Sequence, residues 1–342
     1  MPPGSPSWRY AVPVGAYLAR VRSLGFFLVS VLLACGTPEP QPEVHLRASL
    51  LVAEDHTWYK AFEHFGRLLY ERSGGRIALT TYPSEQLAKE IEAIRMIQAG
   101  VIDMTTTGAL LSNWTPLAAL CEMPFLADDM DGVDALLSGP AGAQIRDEIA
   151  AETGLLPVAY FQAGPRHLTS NTPVRTPADV AGLTVRIPSI PAFVTTWEAL
   201  GAKPTPIAFS ELFTSLQQGV VNAQENPLPL TKMTAMYEVQ DYVNLTSHVF
   251  GWTYPVIGEA QFAAMPADLQ AIFLACAADM QAYERQLFEA NATRTRAELE
   301  ALGMTFVEVD RAAFKSALGD ALYDSMTPEV QAVLRAAAGS TE

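Results

Sequence analysis

The chain has 342 residues, 49% of them hydrophobic and 17% charged, enough apolar material for one large domain or two ordinary ones with proper cores. An aromatic content of 9% excludes a disordered chain, and 24 scattered prolines exclude a coiled coil. With 22 basic against 37 acidic residues the net charge is −15, so no basic field exists to hold phosphate backbones, and nucleic acid is not an expected partner.

The N-terminus reads as a targeting segment. Residues 1–35 contain no acid and three arginines, Arg9, Arg20 and Arg22, followed by an apolar run from Leu24 to Ala34 and then Cys35. That run is too short to span a bilayer permanently and suits a signal-peptide core. Leu32-Leu33-Ala34-Cys35 resembles the bacterial lipobox, in which small residues before the cysteine admit the signal peptidase and the thiol takes up a diacylglycerol. An ordinary secretory signal with a chance cysteine is the alternative. Residues 36–43, GTPEPQPE, read as a Pro-rich tether that lifts a folded body off a membrane. Loss of the signal removes three positive charges and no negative ones, leaving a mature body of about −18. No later stretch reaches 18 uninterrupted apolar residues, so the mature body is expected to be soluble.

From residue 44 the pattern alternates between strand-like and helical segments, which predicts an α/β protein. Val44–Val52 reads as a strand. His56 to Ser73 carries Trp58, Phe62, Phe65, Leu68 and Leu69 at helical spacing and stops at Gly74-Gly75. Arg76–Tyr82 is a second strand, Gln86–Gln98 a second helix ended by Gly100, and Val101–Thr106 a third strand. An Ala-rich helical stretch covers about 133–152. Leu155–Phe161, His167–Ser170 and Leu183–Ile187 read as strands, with helices at about 190–200 and 210–218. Val220–Gln224 and Tyr242–Val249 are further strands.

Pro266 to Leu302 is 37 residues without an internal Gly or Pro, opened by a proline suited to a first helical turn and closed by Gly303. Continuous, it would be about 55 Å long, more than one domain diameter, and so would run across two domains. Asn291 to Thr293 is its weak spot, where a break into two helices is the alternative. A strand at Met304–Val309 and a helical tail from Ala312 close the chain.

Cys35, Cys121 and Cys276 are too few and too far apart for a disulfide framework or a CxxC-type zinc site, although sequence leaves a Cys121–Cys276 bridge open. The five histidines include no HExxH pair, and His56 and His64 lie eight apart, the wrong spacing for two ligands on one helix face, so no metal is expected. GxSxG, GxxxxGK[ST] and GxGxxG are absent, which leaves hydrolase elbows and phosphate-cradling loops unsupported. No cofactor is implied.

Two arginines stand out instead. Arg186 sits between apolar neighbours inside Leu183–Ile187, and Arg166 follows Gly164-Pro165 just before His167–Ser170. A guanidinium on an apolar strand is expensive to desolvate and needs a carboxylate, from a side chain or from a ligand. Spacing alone favours the side chain for Arg186 and a plain turn role for Arg166.

The words PRHLTSN (165–171), PADVAGLTVRIP (177–188) and LGAKPTPIAFSELFTSLQQGVVNAQENP (200–227), with YPSEQL (82–87), QAGVIDM (98–104) and MPFL (123–126) upstream, change those odds. In their order and spacing they resemble the solute-binding proteins of tripartite ATP-independent periplasmic (TRAP) transporters, the DctP family, over nearly the whole mature chain. The resemblance implies a two-lobed periplasmic-binding-protein fold with crossover strands and a long domain-bridging helix. It implies one lobe from 44–163 plus about 252–291 and a second from 164–251 plus about 292–342. In the family the strand arginine of the GLxxRxP word, here Arg186, grips a ligand carboxylate with both prongs of its guanidinium, a geometry lysine lacks. Arg166 corresponds to a second contact, Asn226 of the QENP word to an amide on the same carboxylate, and Phe209 to an aromatic lying against the ligand.

The other half-site is implied to come from the first strand–helix loop and the ends of the YPSxQL and xxDM segments: Glu54, Asp55, His56, Trp58, Gln86, Glu90 and Thr105 to Gly108, with Glu54, His56 and Gln86 the candidate contacts. Gly108 stands where the sialate binders of the family have a glutamate, and the early asparagine of those binders is also missing, which disfavours sialate. A sugar acid, an oxo- or hydroxy-acid or a dicarboxylate remains. The resemblance thus implies an extracytoplasmic receptor that hands a small carboxylate to TRAP membrane subunits. It would sit in the bacterial periplasm, lipid-anchored through Cys35 or else soluble. A carboxylate-processing enzyme on the same scaffold and a ligand-sensing lipoprotein are the competing readings; no nucleophile–base pair near Arg186 supports the enzyme.

Overall fold

The computed structural model describes residues 41–339, and the targeting-segment expectation, including Cys35, lies outside them. Strand, helix and glycine stop alternate first in β1 (Val44–Ser49), α1 (Thr57–Arg72), β2 (Ile77–Tyr82), α2 (Glu90–Gln98) and β3 (Met104–Thr107). Both β2 and β3 pair parallel with β1. The His56 ring caps α1, its Nδ1 accepting the Trp58 N–H at 3.2 Å, and the helix ends against Gly74 and Gly75, both at positive φ. α2 starts four residues later than its sequence pattern suggests, because Ser84 and Glu85 adopt left-handed conformations (φ 54° and 55°) and turn the chain.

The Ala-rich stretch is two helices, α3 (Met130–Ser138) and α4 (Pro140–Thr153), since Gly139 and Pro140 interrupt it. Next come β4 (Leu155–Pro157), β5 (Phe161–Ser170), β6 (Thr184–Ile187), α5 (Pro191–Ala199), β7 (Lys203–Pro206), α6 (Leu212–Gln217), β8 (Ala223–Pro227) and α7 (Leu228–Met233). β8 begins three residues beyond its expected start, Val220 remaining exposed after the Gly219 turn. The chain closes through β9 (Tyr242–Gly258), α8 (Glu259–Ala263), α9 (Ala267–Ala301), β10 (Thr305–Val307), α10 (Arg311–Leu318), α11 (Ala321–Ser325) and α12 (Pro328–Gly339).

The ten strands form one sheet in the order β2-β1-β3-β9-β5-β8-β6-β7, with β4 and β10 also paired to β9. β6 pairs parallel with both β7 and β8, which makes a second parallel group. β5 and β9 run antiparallel between the two groups. The 17 residues of β9 suffice for its first part to pair with β10 and its last part with β3, so one strand belongs to both halves of the sheet. β5 needs Gly164 at its irregular register: φ is +75°, and a Cβ there would lie 2.8 Å from Cζ of Phe288.

The long helix is continuous through Asn291, 35 residues in all. Near its start Phe273, Cys276, Ala277 and Met280 pack with Phe62 and Phe65 of α1, while Leu299 near its end packs with Val243 of β9 and Met304. Between these anchors Glu284, 1% exposed, accepts hydrogen bonds from Thr57 Oγ1 (3.2 Å) and the Gln162 N–H (3.4 Å). Burial pushes its carboxyl up to about 8, so it sits in the helix as a neutral acid near pH 7. Cys121 and Cys276 are both buried and free, so the bridge left open by the sequence does not form. Among the described residues no helix is long and apolar enough to cross a membrane.

Candidate binding site

Parallel strands deliver their loops at their carboxyl ends, and ligands of open α/β sheets bind there. A cavity of about 360 Å³ lies at those ends, a size suited to one small molecule. His56 reaches it from the loop after β1, Glu85 from the turn after β2 and Gly108 from the end of β3. Across from these, Arg186 enters from β6, Phe209 from the loop after β7 and Asn226 from β8. Arg166 on β5 and Trp252 on β9 form the floor where the crossover strands meet.

Arg186 is flanked on both sides, paired in register with Gln224 of β8 and Thr205 of β7, and is 2% exposed. Its Nε and Nη2 donate to the Ile207 carbonyl at 2.8 and 2.5 Å. Among the described residues Nη1 has no partner and no carboxylate lies within ion-pair distance. Burial lowers the guanidinium to about 10, with the positive charge of Arg166 adding to the effect and Glu225 opposing it. It remains a cation at neutral pH whose Nη1 and outer Nη2 edge is uncommitted.

Arg166 differs in every respect that matters. Its Nε and Nη2 engage both oxygens of Glu225 at 2.6 and 2.8 Å, and Nη1 donates to Glu122 Oε1 at 2.8 Å. Nη2 also donates to the Glu225 carbonyl (2.9 Å) and to Asn226 Oδ1 (3.1 Å), while the Phe193 ring lies 5.3 Å from the guanidinium carbon. The salt bridge weighed for Arg186 is thus made by Arg166. Burial pushes the Glu122 carboxyl upward against the Arg166 charge. Asn226, anchored through Oδ1, gives one amide hydrogen to Gln224 Oε1 at 2.6 Å and keeps the other.

His56 lines the cavity with its pKa lowered to about 3 by burial, so it is neutral. Since Nδ1 accepts from Trp58, the proton resides on Nε2, and the ring is a fixed neutral donor. Phe209 lines the cavity and is half-buried. Glu54 and Gln86 are exposed and do not line it. The fold therefore brings together Arg186, Arg166, Asn226, Phe209 and His56 and leaves Glu54 and Gln86 outside.

The family model for bacterial extracellular solute-binding proteins, family 7 (DctP), matches residues 48–327. The chain belongs to this family. A solute-binding protein of Roseobacter denitrificans is 44% identical over 292 residues, 85% of this chain and 90% of that one. Its crystal structure, a TRAP periplasmic solute-binding protein with bound L-galactonate, superposes with a TM-score of 0.85 at 43% identity, covering 87% of this chain and 99% of the other. A TRAP solute-binding protein of Xanthobacter autotrophicus with bound β-D-galacturonate gives 0.82 at 26% identity, covering 86% and 99%. The 2,3-diketo-L-gulonate-binding periplasmic protein of Escherichia coli is 28% identical over 314 residues, 91% of this chain and 95% of that one. These relatives are solute receptors, and this DctP chain is a binding protein rather than an enzyme.

Glu122 and Glu225 of this solute-binding protein were invisible as site residues in the sequence. Glu225 stands beside Asn226 in the QENP word, and the buried-arginine argument demanded an acid somewhere. Only the antiparallel register of β5 on β8, with Arg166 opposite Pro227, selects this one.

Proposed function

We propose that the protein captures a six-carbon sugar acid of the galactonate or uronate type and delivers it to TRAP membrane subunits. The observation that carries this reading is Arg186, a buried cation at a strand end with an uncommitted donor edge directed at a cavity of about 360 Å³. A ligand carboxylate completes it in bidentate fashion, and the remaining Asn226 amide hydrogen adds a third donor. Phe209 and Trp252 supply apolar walls for the carbon chain, and the His56 Nε2–H meets an oxygen on the far side. Arg166 acts by fixing Asn226. The acid sugars bound by the Roseobacter and Xanthobacter relatives support the solute class.

Residues 44–163 with about 252–291, and 164–251 with about 292–342, act as two lobes joined by β5, β9 and α9. A ligand held by His56 in one lobe and Arg186 in the other adds contacts that exist only when the lobes are together, and this difference drives closure. The test is a thermal-shift screen of the mature protein against L-galactonate, D-galacturonate, D-glucuronate and simple organic acids. A tight ligand raises the unfolding temperature by mass action, and a flat response to every sugar acid rejects the assignment.

Cys35 anchors the mature protein in the membrane through a lipid, with the Pro-rich segment as spacer. Cys35→Ser is expected to move the protein from the membrane to the soluble fraction. Retention in the membrane after the signal peptide has been removed would count against the anchor.

A further inference from the structure

The cavity divides its charge unevenly. Of its cations, Arg166 is neutralised by Glu225 and Glu122, Lys89 is paired with Glu211 at 2.5 Å, and Arg95 is exposed at the rim, where water screens it. Arg186 is the one buried cation of the lining without an acid partner among the described residues. Of the acids, Glu122 is committed to Arg166 and Glu92 accepts the Lys89 N–H at 3.2 Å as a helix cap. Glu85 and Glu90 line the cavity with no ion-pair partner among the described residues, and Glu85 Oε2 is buried without a hydrogen bond. Both belong to the segment after β2, whereas Arg186 belongs to β6.

Resting on the sugar-acid reading, we propose that Glu85 and Glu90 read the hydroxyls of the ligand and that Glu85 excludes a second carboxylate, selecting polyhydroxy monocarboxylates over dicarboxylates. An O–H group donates to a carboxylate and accepts from a carboxylic acid, so hydroxyls satisfy these side chains in either protonation state. A second ligand carboxylate can only accept, and it meets like charge in a poorly solvated space. Burial pushes the Glu90 carboxyl up to about 8 against a hydrogen bond with Thr107 and the charge of Arg186, with Glu122 and Glu85 adding to the rise; the neutral acid offers a ligand oxygen a donor, and the repulsion of a second carboxylate rests on Glu85.

The backbone holds the pair in place. Glu85 sits at φ 55°, a conformation that costs a non-glycine residue energy, and the turn is pinned to the loop after β1 by Ser84 N–H to Val52 O and Glu85 N–H to Leu50 O, each 2.9 Å. Glu90 is the first residue of α2, which fixes its backbone at the cavity. The geometry therefore sets two acid groups in the lining of the cavity that Arg186 enters from β6.

Calorimetric titration of the mature protein with L-galactonate, D-galacturonate and succinate tests the idea on wild type, Glu85→Gln, Glu90→Gln and the double variant. Wild type is expected to prefer the better sugar acid over succinate by about 100-fold, the size of one like-charge contact in such a site. Glu85→Gln and the double variant should each narrow that ratio at least about 10-fold, partly through gained succinate affinity, and Glu90→Gln, which keeps a neutral donor, should narrow it less. An unchanged ratio in variants that unfold at the wild-type temperature overturns the proposal while leaving the sugar-acid reading intact. Arg186-independent binding, or no binding of either sugar acid to wild type, overturns both. The single variants decide the matter should the double variant fail to fold.

Discussion

Arg186→Ala is expected to weaken sugar-acid binding by about 2–5 kcal/mol, the usual consequence of removing one member of a desolvated charge pair. The side chain is 2% exposed and already bonded to Ile207 O, so its position is set before the ligand arrives and little conformational entropy is lost on binding. Arg186→Lys keeps the charge but loses the planar pair of donors and the fixed reach, so it should recover only part of the affinity. Calorimetry with L-galactonate reads both variants. Alanine-variant affinity equal to wild type, at an unchanged unfolding temperature, would remove Arg186 from the binding role. Among the described residues no carboxylate forms an ion pair with this arginine, so its loss should disturb the fold far less than the loss of Arg166.

That contrast marks the boundary of what the sequence could say. Spacing gives Arg166 a turn role, but β5 runs unbroken through Gly164-Pro165 and makes it, like Arg186, a buried cation on a strand that desolvation obliges to find an anion. Which one finds it inside the protein depends on β5 lying antiparallel on β8, a pairing between residues about 60 positions apart that no local pattern encodes. Much else was local and legible: the α1 face of Trp58, Phe62, Phe65 and Leu69, its glycine stop, and the long helix without Gly or Pro. β7 escaped notice because its four residues, Lys203–Pro206, include two prolines and are held by pairing to β6. The extension of β9 past Val249 was missed because Gly251 and Pro255 look like strand breakers, yet both lie inside the crossover. On the candidate site, the family words point to Arg186, Asn226 and Phe209, all of which line the cavity, while Glu85, inside YPSEQL, has no role in them. The left-handed turn at Ser84 and Glu85, visible only in three dimensions, carries Glu85 to the cavity while its neighbour Gln86 stays exposed.

Glu225→Ala is expected to cost about 3–5 kcal/mol of folding stability, because it strands a buried guanidinium with only Glu122 to balance it. Glu225 is 0% exposed, takes two charge-assisted hydrogen bonds from Arg166 and lies 3.1 Å from His248 Nε2, so no water can replace the lost carboxylate without a rearrangement of the sheet. Burial by itself would raise the Glu225 carboxyl, but the Arg166 charge and the bonds from His248 and Arg166 outweigh it and hold the group below its ordinary value of 4.5. A carboxylate depressed in the folded state stabilises the protein above its unfolded value and loses that contribution as the pH falls through its folded value. His248, lowered by burial despite Glu225, acts in the same direction, because its neutral folded form gives way to protonation as the medium turns acid. Urea unfolding of wild type and Glu225→Ala at pH 7 and pH 4 should therefore show a large gap at the first pH and a smaller one at the second. The paired replacement Arg166→Met with Glu225→Leu removes both charges together and should regain most of the lost stability, since the penalty belongs to the unpaired cation and not to the absence of a salt bridge. A single variant within about 1 kcal/mol of wild type at pH 7 would mean that Arg166 is compensated from elsewhere, and that its guanidinium is free to take a ligand carboxylate directly.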